Sequence, residues 1–398
     1  MQNQRGFIYV ISLGIVLLLT LAGTSILMRG VSETNLSERS RGQSTALHLA
    51  EAGVDQAAIN LRTPTDPNDD VTSTTFSLGS FQLDPPTTPA AQTWQVKAHG
   101  TSASDPNSPR HIEATYRLTP KSVFEFALFG DRNVNVSGSA FTDSYDSRVG
   151  VYDPNSHGHN GDVGTNSTAS GGVAFTGANL FIDGQVAIGP TTVANPTSLV
   201  TGYDPLLVTG GTSPPSDYQD VVPQDDTFLM TPVTVPPGLN CTNDKVVSGG
   251  PPEVLSPTGG PLGNGTYCYH NLTVQGNATL MASGEVTVYL TGRLTAQGNS
   301  TIGVSTNPKS LAFLMTSTAQ ATLEEGTITG STLFYGAIYG PDATINIQGN
   351  AEVFGSIIAE TVNVTGDAQI HYDEAMTDRT DVSNLYKTAL ISWRETAN

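Results

Sequence analysis

The densest run of chemistry-bearing side chains lies between residues 142 and 162. TDSYDS supplies Asp143 and Asp146, Asp153 follows, and HGHNGD adds His157, His159 and Asp162. Carboxylates and imidazoles this close together are the groups that bind a divalent cation or move a proton. Asp143, Asp146 and Asp153 are the candidate metal ligands, with Ca2+ the candidate ion. Their spacing fits no metal-binding loop, however, and Asp, Asn and Ser are equally the residues that close turns. A second cluster, His371–Tyr372–Asp373–Glu374, falls where a repeated pattern ends, and is expected to tie that pattern off rather than to react. No nucleophile elbow, phosphate loop or dinucleotide fingerprint occurs. The chain is therefore expected to be non-enzymatic, with no catalytic residue assigned.

Composition narrows the partners. The net charge is −19 and charged residues make up only 13% of the chain, which argues against direct contact with nucleic acid. With so few charges, Ser, Thr, Asn and Gly must cover the surface, and 41 Gly with 24 Pro point to many short strands and turns. Cys241 and Cys268 lie in no CxxC pair and have no histidine at zinc spacing. Outside the cytoplasm they are expected to form a disulfide, worth about 3 kcal/mol in the chain-entropy picture; the alternative is two separate thiols.

The elements that must position these residues begin at the N-terminus. Residues 7–28 carry no charge, a run of 22, and about 20 apolar residues span a bilayer. No proline follows until Pro64, and Ala46/Leu47, Ala50, Val54, Ala57 and Leu61 recur at helical steps. Span and stripe together predict one helix over 7–62, roughly 80 Å long at 1.5 Å per residue. Arg5 ahead of the span favours a cytoplasmic start and a bulk outside the cytoplasm.

Arg5–Gly6–Phe7 followed by LTLAG and Ala50–Glu51–Ala52–Gly53 resembles the N-terminal module of PilX-type minor pilins, within the type IV prepilins. The resemblance implies a leader over 1–6, cleavage between Gly6 and Phe7 by a prepilin peptidase, and N-methylation of Phe7. It also implies association with other pilins and an assembly platform, a single-pass inner-membrane location and, after assembly, a pilus at the cell surface. Major pilins carry glutamate five residues after the cut, where this chain has Ile11. A subunit lacking that carboxylate suits a low-copy place at or near a filament tip.

Period-two alternation in FSLGSFQL, TWQVKAHGTS and HIEATYRL assigns a small β region to 63–120, the last two segments as a hairpin. Beyond it an internal repeat appears: LTVQGNATL from Leu272, LTAQGNSTI from Leu294, INIQGNAEV from Ile345, VNVTGDAQI from Val362, and a degenerate VNVSGSAFT from Val134. VAFTGANL and LFIDGQVAI near residue 180 are fragments of the same form. Two apolar residues at i and i+2, then Gly with Asn or Asp at a corner, read as one short strand and one bend. The predicted fold is α+β, mainly β: the long helix, the hairpin region, then a right-handed parallel β-solenoid, with a sandwich of hairpins as the competing architecture. On this reading 121–194 is a first solenoid part, 195–266 a Pro/Gly-rich insertion outside it, 267–373 the main repeats and 374–398 a capping tail. Leu385, Ala389 and Trp393 suggest a helix in that tail. Val364 should point inward, and Asn363 outward where aspartate would be tolerated. TDSYDS, GDVGTNS, GAIYGP and IHYDEAM resemble elements of a β-helical domain of unassigned function that follows PilX-type N-termini.

These readings converge on a structural, membrane-anchored pilin-like protein presenting an adhesive or docking module to an undefined surface or polysaccharide ligand. The alternative is a membrane-anchored surface β-helix that binds or cleaves polysaccharide.

Overall fold

The computed structural model describes residues 4–62, 71–177, 179–209, 219–225, 227–316, 325–380, 382 and 386–396, with side chains from residue 11 onward. It divides into two compact units, one formed by Met1–Pro120 with Tyr386–Asn398 and the other by Lys121–Leu385.

In the first unit a single helix, α1 (Gln4–Asn60), covers 57 residues. Gly6 and Phe7 lie in its first turns, their side chains outside the described residues. Its first half is apolar and open, with Leu13, Leu17, Ile26 and Met28 all more than 60% exposed. Water would oppose such a surface; lipid would cover it. Its second half buries Ala50, Val54 and Ala57 against Phe81, Val96, Ala98, Ile112 and Tyr116. Gly53 and Gly100 make that approach possible. A Cβ on Gly100 would stand 1.9 Å from the Ala46 carbonyl oxygen, and one on Gly53 would stand 3.0 Å from the Ala98 Cβ. Tyr116 Oη donates to the Val54 carbonyl at 3.0 Å, and burial pushes its phenol up to about 12.

The sheet beneath the helix is antiparallel, with Thr93–Ser102 hairpinned to Asp105–Pro120 as the alternation predicts. FSLGSFQL differs from its expected single strand. Ser73–Phe76 and Gly79–Leu83 form a hairpin of their own, closed at Gly79 with φ +145°, leaving Phe76 and Leu78 exposed and placing Phe81 and Leu83 in the core. The tail also corrects its expectation. Tyr386–Thr396 is a strand antiparallel to Asp105–Pro120, with Ala389 opposite Arg117 and Trp393 opposite Ala114. Leu385 lies outside the described residues. An apolar spacing of four fits a strand as well as a helix, and pairing to a free sheet edge decided between them. The register then shifts between Leu390 and Ser392, so that Ala389 and Trp393 fall opposite residues of different faces.

The second unit is a sheet of 22 described strands, almost all buried on one face, in which most strands pair in parallel with the third strand on. Lys245–Ser248, Leu272–Gly276, Leu294–Gly298 and Glu325–Ile328 follow one another in this way. So do Glu253–Leu255, Thr279–Ala282 and Thr301–Ile302, and likewise Thr266–Tyr269, Val286–Leu290 and Leu311–Met315. The repeats seen in the sequence are the registers seen in space. Leu272 faces Leu294, Ile345 faces Val362, and Ile347 faces Val364, all fully or almost fully buried. In each of the five nine-residue copies the central glycine, at 138, 276, 298, 349 and 366, lies in the left-handed region. At Gly366 (φ +87°) a Cβ would meet the Gly349 carbonyl at 2.8 Å, so the corner needs glycine for both conformation and space.

The order of strands is not the order of the chain. Val362 and Val364 face Val134 and Val136, joining the last repeat to the first, degenerate one. Residues 128–130 pair with 357–359 on one side and with 163–165 on the other. The 128–223 arm thus leads away from this junction while the 245–373 arm returns to it. Asn135 donates to Asn363 at 2.8 Å across 228 positions, and Asn363 donates to Asn346 at 2.9 Å. Asn363 is therefore a link in an amide ladder rather than a free surface position, because a carboxylate there has no N–H to give Asn346.

The Pro-rich stretch 195–266 does not stand wholly apart. Val200–Thr201, Val208–Thr209 and Val221–Pro223 continue the 128–188 arm, and Lys245–Ser248 and Glu253–Leu255 open the other. Strands of two to four residues leave room for prolines at the corners, where no ladder N–H is needed. Cys241 and Cys268 are disulfide-bonded, their Cα atoms 4.9 Å apart.

Candidate functional site

The junction between the two arms assembles the polar residues singled out in the sequence. Phe141–Tyr145 lies parallel to Gln369–Asp373, with His371 facing Asp143 and Asp373 facing Tyr145. Asp143 is fully buried and His371 is 1% exposed, and His371 Nδ1 stands 2.6 Å from Asp143 Oδ1. Tyr152 Oη donates to the other oxygen, Oδ2, at 2.7 Å, and its ring lies 3.9 Å from the His371 ring, centroid to centroid. Phe354, stacked on Tyr335, covers His371 from the neighbouring strand. The His371–Asp143 pair is sealed from solvent on this side, which suits holding two arms together and leaves a dissolved substrate no direct approach to it.

Phe141–Tyr145 pairs on its other side with Phe181–Asp183 through Phe181 facing Phe141 and Ile182 facing Thr142. Continuing that register sets Asp183 beside Asp143. Residues 146–160 fold back over the two carboxylates, held by a backbone bridge between Ser144 and Gly158. Gly161 has no room for a side chain, since its Cβ would meet the Asp143 backbone at 2.7 Å. The returning segment delivers two imidazoles. His159 Nδ1 stands 2.8 Å and His157 Nδ1 3.4 Å from Asp183 Oδ2, and His157 Nδ1 is also 3.8 Å from Asp143 Oδ2.

The other acidic candidates are engaged elsewhere. Asp146 pairs with Arg148, whose hydrogen bonds hold its carboxyl below the usual range, and Arg148 reaches on to Asp378. Asp153 accepts from the Asn155 backbone N–H and side chain, closing a turn. The three carboxylates Asp143, Asp146 and Asp153 are thus not brought to a common point. Asp373 accepts from Ser147 N, Ser147 Oγ and Ala375 N, yet burial still raises its carboxyl. Glu374 accepts from Ser144 Oγ and Asn160 Nδ2. Asp162 accepts from the Gln185 N–H, and burial pushes it up to about 6.

Asp183 and Tyr152 were not among the residues the motifs singled out. A signal for Asp183 exists: Phe141-Thr-Asp143 and Phe181-Ile-Asp183 share the pattern Phe-x-Asp on paired strands. Tyr152 carries no such signature, because it comes from the covering segment rather than from a repeat.

A family profile described as a domain of unknown function (DUF7305) matches residues 263–379, which include His371 and exclude Asp143 and Asp183. No curated protein matches the sequence. Among solved structures, the chain is similar to the competence-associated pilin ComZ from Thermus thermophilus, at 12% identity, over 89% of this chain and 97% of that one, with a TM-score of 0.28.

Proposed function

We propose that this chain is a structural, non-enzymatic minor pilin. It is anchored in the inner membrane by the first half of α1, incorporated into a type IV pilus or related pseudopilus, and carries its second unit as an adhesive or docking module. The observation that supports this reading is α1 itself. One unbroken helix passes from an exposed, uncharged stretch containing Leu13 to Met28 into a stripe buried against an antiparallel sheet. An ordinary anchor has no need of that continuity, whereas a filament subunit uses both halves. The parallel unit is read as a β-solenoid of three strands per turn, a reading that third-neighbour pairing supports. Parallel crossovers favour the right hand.

Processing tests the reading. In cells with an active prepilin peptidase, mass spectrometry of the chain should find an N-terminus at a methylated Phe7, and replacing Gly6 with a bulkier residue should leave the full-length chain in the membrane. Intact Met1 in wild-type cells would overturn it. Filaments should contain the chain at low abundance relative to the major pilin, because Ile11 supplies no carboxylate to a neighbour's amine in the apolar core.

A further inference from the structure

His157, His159 and Asp183 offer one ligand atom each, all within 4.8 Å of one another. Their contacts are close to those a bound ion requires. Ligands about 2.1 Å from a tetrahedral zinc lie about 3.4 Å apart along each edge, and His157 Nδ1 is 3.4 Å from Asp183 Oδ2. His159 Nδ1, at 2.8 Å, needs to open by a few tenths of an ångström, which a side chain 46% exposed can do.

Two further facts point to a cation. Asp183 is only 2% exposed, and its Oδ1 has no hydrogen-bond partner, so one of its oxygens is buried without compensation. Beside it on the paired strand stands Asp143, a second buried carboxylate, whose Oδ2 lies 3.8 Å from His157. Two desolvated carboxylates side by side are costly unless positive charge lies between them. The exposed sides of His157 and His159 leave an approach from solvent.

We propose that His157, His159 and Asp183 form a binding site for a divalent transition-metal ion of the zinc class. Two imidazoles are borderline nitrogen donors, and beside one carboxylate they favour zinc over calcium, which prefers an all-oxygen shell. Asp143 stands behind His157 and, held by Tyr152 and His371, fixes the charge and position of the site from its second side. The covering segment 146–160 is then fastened to the junction of the two arms by the ion as well as by its backbone bridge.

The test uses the full chain purified in detergent, stripped with a chelator and re-exposed to zinc in excess magnesium and calcium. Elemental analysis should find about one zinc per chain. His159→Ala and His157→Ala, at partly exposed side chains, should leave the circular dichroism of the stripped chain unchanged and weaken zinc binding roughly tenfold or more. His111→Ala, which breaks the other close histidine pair (His99 with His111), should bind zinc as the wild type does. A folded wild-type chain that retains no zinc would overturn the proposal. Unchanged binding in both the His157 and His159 variants, or displacement of zinc by calcium, would overturn it equally.

Discussion

Asp162 shows how one buried carboxyl couples this fold to pH. Burial raises it from 3.8 to about 6, against a single opposing hydrogen bond from Gln185 N. Between those values the folded chain holds a proton that the unfolded chain has released, so this residue's contribution is full below pH 3.8 and is lost as pH rises through 6. Asp162→Asn keeps an acceptor for Gln185 and removes the buried charge. At pH 7.5 it should therefore stabilise the chain by about 3 kcal/mol, an advantage that disappears below about pH 4. Denaturant titrations of both chains in chelator at the two pH values measure it. An equal stability difference at both would contradict the burial account.

The C-terminal strand illustrates what an element can take from its neighbours. Tyr386–Thr396 is largely exposed, with Trp393 at 52% and Ile391 at 50%, so little of its pairing is driven by burial. Its contribution is the ladder along Asp105–Pro120 and two charge contacts, Arg394 to Glu113 at 2.7 Å and Arg110 to Glu395 at 2.5 Å. Exposed pairs of this kind are worth about 0.2–1 kcal/mol each. Ending the chain after residue 385 should leave the α1–sheet core folded, since none of its fully buried residues lies in the tail. Hydrogen exchange should nonetheless speed up along residues 111–119, whose edge becomes free. Collapse of the whole first unit on truncation would show that the strand does more than cover an edge.

At the scale of the second unit, the junction between arms makes the 128–223 and 245–373 segments interdependent. Strands Leu128–Ser137 and Phe141–Tyr145 find partners in Glu352–Gly366 and Gln369–Asp373, and Tyr372 Oη donates to Phe124 O at 2.9 Å. A chain ending at residue 243 keeps the first arm but strips these strands of a neighbour and exposes Val134, Val136, Phe129 and Leu128, all 1% exposed or less in the full chain. Limited proteolysis should find no resistant core beyond residue 121 in that truncated chain, whereas the full chain resists from 121 onward. A stable truncated core would mean that the first arm folds without the junction. Because these contacts span more than 200 positions, the unit should also fold slowly, closing only after its last repeats exist.

Local demands were legible in the sequence, and chain path was not. The uncharged run 7–28 and the i, i+3, i+4 stripe of Ala50, Val54 and Ala57 specify a helix wherever they occur, because side-chain period is a property of neighbouring residues. The same holds for the repeats. Apolar residues two apart must share a face, and a corner such as Gly366 must take positive φ, so the alignment of Ile345 with Val362 already contained the register. What tertiary structure alone decided is which repeats meet. Nothing local tells Val134 that its partner is Val362 rather than a neighbour in the chain; that follows from two arms closing on one another. The same closure brings Asp143, Asp183, His157 and His371 to one place from four separate stretches, and leaves Asp146 and Asp153 with partners of their own. The tail differs for another reason: an apolar spacing of four is compatible with helix and strand alike, so the free edge at Asp105–Pro120, visible only in three dimensions, made the choice.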